Sequence, residues 1–251
     1  MKWRVVIWKY HFAIIFLLIC LSSSGQDPEY HGIRAGGFNG LSEKKIDSIS
    51  HSEAAGKFFC QAYTQSMYNI WSEMGKLDSN GKIFIKKFAN RFADYFVEAW
   101  IDNNNGNLSA ASEWKCFFTA NVQPWQSILL GVNAHININL WQSLVDNFIE
   151  REIHKYRRSF LRMQPGVNKV FYNLFDTLLT KSTYLRLVNS FTVGLPRKIG
   201  EHLIYKWRRR NVNLAILYFR NTNKFKRRLL LVNRKKLRID QKILSYNHEI
   251  I

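Results

Sequence analysis

From Ser42 to about Tyr218, apolar residues recur at intervals of three and four, and no long stretch alternates apolar with polar residues as a half-buried strand would. Segments with that period bury a stripe along a helix, so the chain is expected to be all-α. We read it as a single multi-helix domain of orthogonal or bundle-like packing. Hydrophobic residues at 47% and aromatics at 15% are too many for a disordered chain and enough for a packed core.

The individual stripes can be traced. Phe58, Phe59, Ala62, Tyr63, Met67, Ile70 and Trp71 lie on one helical face, closed by Gly75 and the turn residues Asp78 to Gly81. A second face runs from Ile83 through Phe88, Phe92, Phe96 and Trp100 to an Asn-rich stop at residues 102–107. Ser109 is the expected N-cap of a short helix with Trp114, Phe117 and Phe118. Pro124 suits the first turn of a long helix through Leu129, Ile136, Leu140, Leu144 and Phe148, roughly 37 Å from end to end and able to cross the domain. Pro165 and Gly166 break the chain before a helix from Val170, which is interrupted near Ser182; Gly194 and Pro196 precede a last one carrying Ile199, Leu203, Trp207 and Tyr218. From Asn221 onward no clear period is visible.

At the N-terminus, Lys2, Arg4 and Lys9 precede an apolar run from Phe12 to Leu21, and Ser23 and Gly25 supply small residues for cleavage before Gln26. This pattern is that of a secretory signal peptide, the apolar run being shorter than the ~20 residues of a spanning helix. Lipid anchoring at Cys20 is a minority reading, because bulky Ile19 precedes it. The expected division is therefore a signal peptide at 1–25, a helical domain at 26–220 and a basic C-terminal segment at 221–251, in an exported protein that is periplasmic or secreted. Cys60 and Cys116 remain after cleavage, as one bridge or two buried thiols.

The formal charge of +19 is unevenly placed. Residues 26–194 are nearly balanced, whereas 195–242 hold 16 Lys and Arg against Glu201 and Asp240 alone. Arg208, Arg209, Arg210, Lys226, Arg227, Arg228, Lys235 and Lys236 form its clusters, interleaved with Leu229 to Val232. A basic segment with apolar insertions suits an anionic membrane or polysaccharide surface, or it is merely a solvated face. Nucleic acid is disfavoured: export argues against it, and no motif is present that would read bases.

Residues 131–140, Gly-Val-Asn-Ala-His-Ile-Asn-Ile-Asn-Leu, place four polar side chains inside the long apolar helix. At 100° per residue, Asn133 and Asn137 fall about 40° apart within the apolar stripe, and His135 and Asn139 fall about 40° apart on another flank. Covered by neighbouring helices, all four need partners, since an unpaired buried polar group costs ~1–3 kcal/mol. They form either a core network that fixes packing or a ligand pocket. Gly131 would admit close approach of a helix or a ligand.

The run from Leu129 to Asn137 resembles the hallmark of an uncharacterised, largely bacterial domain-of-unknown-function family, Gly-x-Asn-Ala-His-Ile-Asn-x-Asp-Leu. Weaker similarity extends from the Phe84 helix to the Arg-rich helix ending near Phe219. Asn139 stands where that family usually has Asp, and so offers neither a carboxylate base nor an anionic metal ligand. The resemblance implies a helical fold and no particular activity.

Other chemistries fit less well. A metal hydrolase would recruit His135 with His154 or His202 and a carboxylate such as Asp146, Glu150, Asp176 or Glu201, but no His-Glu-x-x-His pair places two ligands on one face. Asp102 to Gly106 resembles a calcium loop, yet its Gly comes fifth instead of sixth. The reading is thus a binding module for a small polar or lipid-like ligand, contacted by Asn133, His135, Asn137 and Asn139. A hydrolase using His135 as acid, base or metal ligand is one alternative, and an envelope-associated structural protein is another. No motif specifies a cofactor.

Overall fold

The apolar stripes and stops place the helices. The computed structural model describes residues 40–52, 56–107, 112–119, 122, 124–181 and 195–245, and among them every regular element is helical. Helices α1 (Leu41–Ser50) and α2 (Lys57–Glu73) are followed by a single 3₁₀ turn, Met74–Lys76. Asp78 then caps α3 (Ser79–Asn104), its Oδ1 accepting from the Gly81 N–H at 2.6 Å, so three of the four residues read as a turn are in fact the helix's first turn. After α4 (Lys115–Thr119) comes the long helix, in three parts without a break: α5 (Pro124–Ala134), a π-helical turn (His135–Asn139) and α6 (Leu140–Asn147). Helices α7 (Glu150–Arg162), α8 (Gln164–Lys181), α9 (Leu195–Arg220) and α10 (Thr222–Ser245) follow among the described residues.

The signal peptide read at residues 1–25, with Cys20 and the cleavage point before Gln26, lies outside the described residues, as do the Ser109 cap and the break near Ser182. Among the described residues no helix is long and apolar enough to cross a membrane. Cys60 is buried and Cys116 half-buried, and both are free thiols.

The segment after Asn221 has structure that its pattern concealed. Helix α10 buries Phe225, Val232, Lys236, Asp240 and Ile243, spaced seven, four, four and three residues apart. That is a helical stripe, but two of its five members are charged, so an apolar reading cannot see it. Phe225 packs edge-on against Trp141 and Tyr218, joining α10 to α6 and α9.

The long helix sits between two apolar clusters. Leu130 and Ala134 belong to the first, with Phe59, Phe96, Trp114 and Phe117; Leu140, Trp141 and Leu144 belong to the second, with Phe84, Phe88, Phe160 and Phe225. Each fully buried Leu or Phe side chain contributes ~1.5–3 kcal/mol of transfer free energy, so this helix is held at both ends by apolar burial. The polar residues 133–139 occupy the joint between the clusters.

Candidate functional site

The π turn is defined by the Leu140 N–H, which donates to the His135 carbonyl five residues back. Such turns change the angular position of the side chains they contain and are frequent at functional sites. All four polar side chains of the segment are buried: Asn133, His135, Asn137 and Asn139.

Asn133 and Asn137 are fully engaged. Asn133 Nδ2 donates to the Lys236 carbonyl at 3.0 Å and to Asp240 Oδ1 at 2.7 Å, while its Oδ1 accepts from Asn137 Nδ2 at 2.5 Å. Asn137 Oδ1 in turn accepts from the Arg210 guanidinium. Lys236 Nζ lies 2.6 Å from Asp240 Oδ2 and also donates to the Glu113 carbonyl. These residues lock the long helix to α10 through a buried ion pair and its amide partners.

His135 and Asn139 do something different. Asn139 Oδ1 accepts from Trp114 Nε1 at 3.1 Å, and Asn139 Nδ2 donates to Glu113 Oε1 and Gln142 Oε1, each at 3.1 Å. An indole N–H can only donate and a carboxylate only accept, so the orientation of this amide is fixed from outside. His135 Nδ1, 3.3 Å from the same Oδ1, must therefore carry the imidazole proton. Nε2 is left as the bare acceptor, and it has no hydrogen-bond partner among the described residues.

Aromatic rings enclose that imidazole. Phe92 stacks on it with centroids 3.4 Å apart, and Tyr63, Trp114 and Phe59 meet it at 5.3, 5.7 and 5.8 Å. Burial pushes its pKa down to about 3, against the smaller upward pull of the Asn139 hydrogen bond, so the ring is neutral at physiological pH.

His135 also lines a cavity of about 230 Å³, bounded by α2, α3, the long helix and helices α7 to α10. Its wall is almost wholly apolar, with Met67, Phe88, Phe92, Ile136 and Leu203 among the side chains. Among the described residues the polar exceptions are Ser66, Asn133, His135 and Arg208, together with the buried, unpartnered Tyr63 hydroxyl and the Trp207 indole. Ser66 Oγ donates to the Ala62 carbonyl at 2.9 Å, and Asn133 is committed to α10.

A model described as a family of unknown function (DUF5995) matches residues 43–245. The chain belongs to this DUF5995 family. No curated protein and no solved structure matches it.

Within this DUF5995 chain the basic residues divide sharply. Arg209, Lys226, Arg227, Arg228 and Lys235 are exposed and Arg210 is half-buried, whereas Arg208 and Lys236 are buried. The last two are thus not available to an anionic surface: Lys236 is committed to Asp240, and Arg208 donates to Gln164 Oε1 and the Phe160 carbonyl. The groups considered as metal partners for His135 also lie apart from it. His154 pairs with Glu150 on the surface, Asp146 accepts from Arg91 and Tyr95, Glu201 accepts from Asn168, and His202 and Asp176 are exposed. Among the described residues no three His, Cys, Asp or Glu side chains cluster as a metal site would require.

Sequence reasoning missed Glu113, Trp114, Gln142 and Asp240 as members of the network. The Lys236/Asp240 spacing of four was the available signal, a charge pair one helical turn apart. Glu113 offered none, since its partner Asn139 lies 26 residues away on another element.

Proposed function

We propose that this protein is a binding module that holds an apolar, lipid-like molecule in its core cavity and accepts one hydrogen bond from it at His135 Nε2. The observation that carries this reading is the unpartnered acceptor in a wall that is otherwise nearly all apolar. Leaving such a lone pair unmet costs ~1–3 kcal/mol, which a donor on a bound molecule would recover. A site that takes one water needs on the order of 10–15 Å³ of such space, so the cavity suits roughly 15–20 non-hydrogen atoms.

The hydrolase alternative asks more of the same nitrogen. A general base works best with a pKa near the working pH, and burial holds this one about three to four units lower. Accepting a hydrogen bond requires only the lone pair.

The test compares ligands that differ in one donor. Delipidated protein is expected to bind 1-tetradecanol roughly 2–10-fold tighter than tetradecane, the range given by one net hydrogen bond. His135→Phe should abolish that preference while keeping hydrocarbon binding. Absence of binding by either probe, measured by titration calorimetry or tryptophan fluorescence, overturns the reading.

A second observation bears on where such a module works. On the outer face of α10, Leu230, Leu231 and Leu237 are 51%, 55% and 51% exposed beside Arg227, Arg234 and Arg238. Leucines among cations are the composition of a helix that lies on an anionic bilayer. We therefore also propose peripheral docking on an acidic membrane and, from the N-terminal sequence pattern, export through residues 1–25. Flotation with phosphatidylglycerol vesicles should be lost on reversing Arg227, Arg234 and Arg238 to Glu, and N-terminal sequencing of the exported chain should begin at Gln26. Flotation that survives the reversals removes the docking; a mature chain that begins at Met1 removes the export.

A further inference from the structure

We infer that the ligand is an amphiphile with a carboxylate head, and that Arg208 binds the head. This deepens the cavity-binding function proposed above and rests on it.

Arg208 lies on α9, is 4% exposed and forms part of the cavity wall. Its guanidinium donates to Gln164 Oε1 at 2.7 Å and to the Phe160 carbonyl at 2.6 Å, and sits 4.5 Å from the centre of the Phe160 ring. Every one of these partners is neutral. No Asp or Glu pairs with it among the described residues; the acidic residue two turns back on its own helix, Glu201, accepts from Asn168 instead.

The contrast with the other buried cation is direct. Lys236, 3% exposed, has the Asp240 carboxylate 2.6 Å away. A buried charge without a counter-charge carries a large desolvation penalty, and proteins ordinarily meet it with an ion of opposite sign. At Lys236 the fold supplies that ion; at Arg208 it supplies dipoles. Burial lowers the Arg208 pKa to about 10, which still leaves the group charged at neutral pH.

The chemistry of the missing partner follows from the guanidinium. Five N–H donors form a planar fork, the bonds to Gln164 and Phe160 take one N–H from each terminal nitrogen, and a carboxylate suits the three that are left. Since Arg208 is the one cation among the described residues of the wall, a single negative charge balances it and a dianion would not. The apolar remainder of the wall receives a hydrocarbon chain. Combined with the cavity's size and with the acceptor at His135 Nε2, which a carboxylate alone cannot meet, this describes a hydroxylated carboxylic acid of roughly 12 to 17 carbons whose hydroxyl donates to that nitrogen.

The experiment uses the full chain, stripped of bound lipid, with myristate, methyl myristate and 1-tetradecanol as probes at pH 7.5. Myristate is expected to bind at least ten-fold tighter than its methyl ester or the alcohol, and to raise the melting temperature more at equal concentration. Arg208→Gln should erase the preference for the carboxylate while retaining the alcohol, and Arg208→Lys should keep part of it. Equal affinity for myristate and the alcohol in the unaltered protein overturns the role of Arg208 and leaves the cavity function standing. Failure of all three probes removes both. The comparison among ligands needs no variant, so an Arg208 substitution that fails to fold does not cloud the result.

Discussion

His135 Nδ1 lies 3.3 Å from Asn139 Oδ1, one turn along the same helix, and that contact fixes which imidazole nitrogen is protonated. The fixing force originates farther out, where Glu113 and Gln142 accept from the Asn139 amide and Trp114 donates to it. The nitrogen left as acceptor is thus set by a carboxylate that is outside the cavity wall.

Replacing Asn139 by Asp tests this chain of contacts. The new carboxylate still accepts from Trp114 and His135, but its loss of the amide donor leaves it facing Glu113. We expect Asn139→Asp to destabilise the protein by ~1–3 kcal/mol in urea denaturation at pH 7, with most of the loss recovered in Asn139→Asp/Glu113→Gln. The nearby negative charge should also raise the His135 pKa, which the imidazole carbon resonances report by NMR. An unchanged pKa and full stability in the single variant would contradict the arrangement.

A second expectation concerns acid. In the unfolded chain His135 takes up a proton near its ordinary 6.5, whereas in the folded chain burial delays protonation to about 3. Between these values the unfolded state binds the extra proton, so this group's contribution falls as pH falls, by ~1.4 kcal/mol per pH unit, and is flat above 6.5. His135→Phe should remove that share of the slope. Urea midpoints from pH 7.5 to 5, taken for both proteins, make the comparison before most carboxylates titrate.

How far these features were legible in the sequence follows from what each position must face. The helical class was legible because Phe59, Phe96, Leu130 and Leu144 repeat with the helix, and burial of Asn133 and Asn137 followed from their place in that stripe. Helix α10 was hidden because Lys236 and Asp240 take inward positions, where charge is read as exposure. The Arg208 to Arg210 run misled for the same reason, although three successive helical residues span 200° and cannot all meet solvent. The structure finds one buried, one exposed and one half-buried. The orphaned Nε2 was not legible at all, since it depends on Glu113 and Trp114 arriving from outside the long helix.

The buried ion pair should behave as a unit. Lys236→Met leaves Asp240 without its counter-charge in the core and is expected to cost ~3–5 kcal/mol. Lys236→Met/Asp240→Leu removes both charges and should be milder than either single change, although Asn133 then keeps only the Lys236 backbone carbonyl as acceptor. A double-mutant cycle in urea measures the coupling; additive losses would mean that the two charges do not depend on each other.

Gly131 offers a test of the packing that holds the imidazole. A Cβ at this position would stand 2.2 Å from Phe59 Cδ2, well inside contact distance. Phe59 cannot step aside easily, because Phe96, Trp114 and Phe117 surround its ring at 5.0, 5.4 and 5.7 Å. Alanine gains up to ~1 kcal/mol of helix propensity over glycine, while overpacking a filled core costs ~1–3 kcal/mol, so the net effect of Gly131→Ala should be a loss. Phe59→Leu vacates the contested space, and the double variant should therefore lose less than the sum of the two single changes. Because Phe59 meets both His135 and the cavity, Gly131→Ala should also weaken 1-tetradecanol binding even at temperatures where the protein remains folded. Melting curves and ligand titration on the same preparation separate the two effects; undiminished binding in a destabilised Gly131→Ala would detach Phe59 from the ligand.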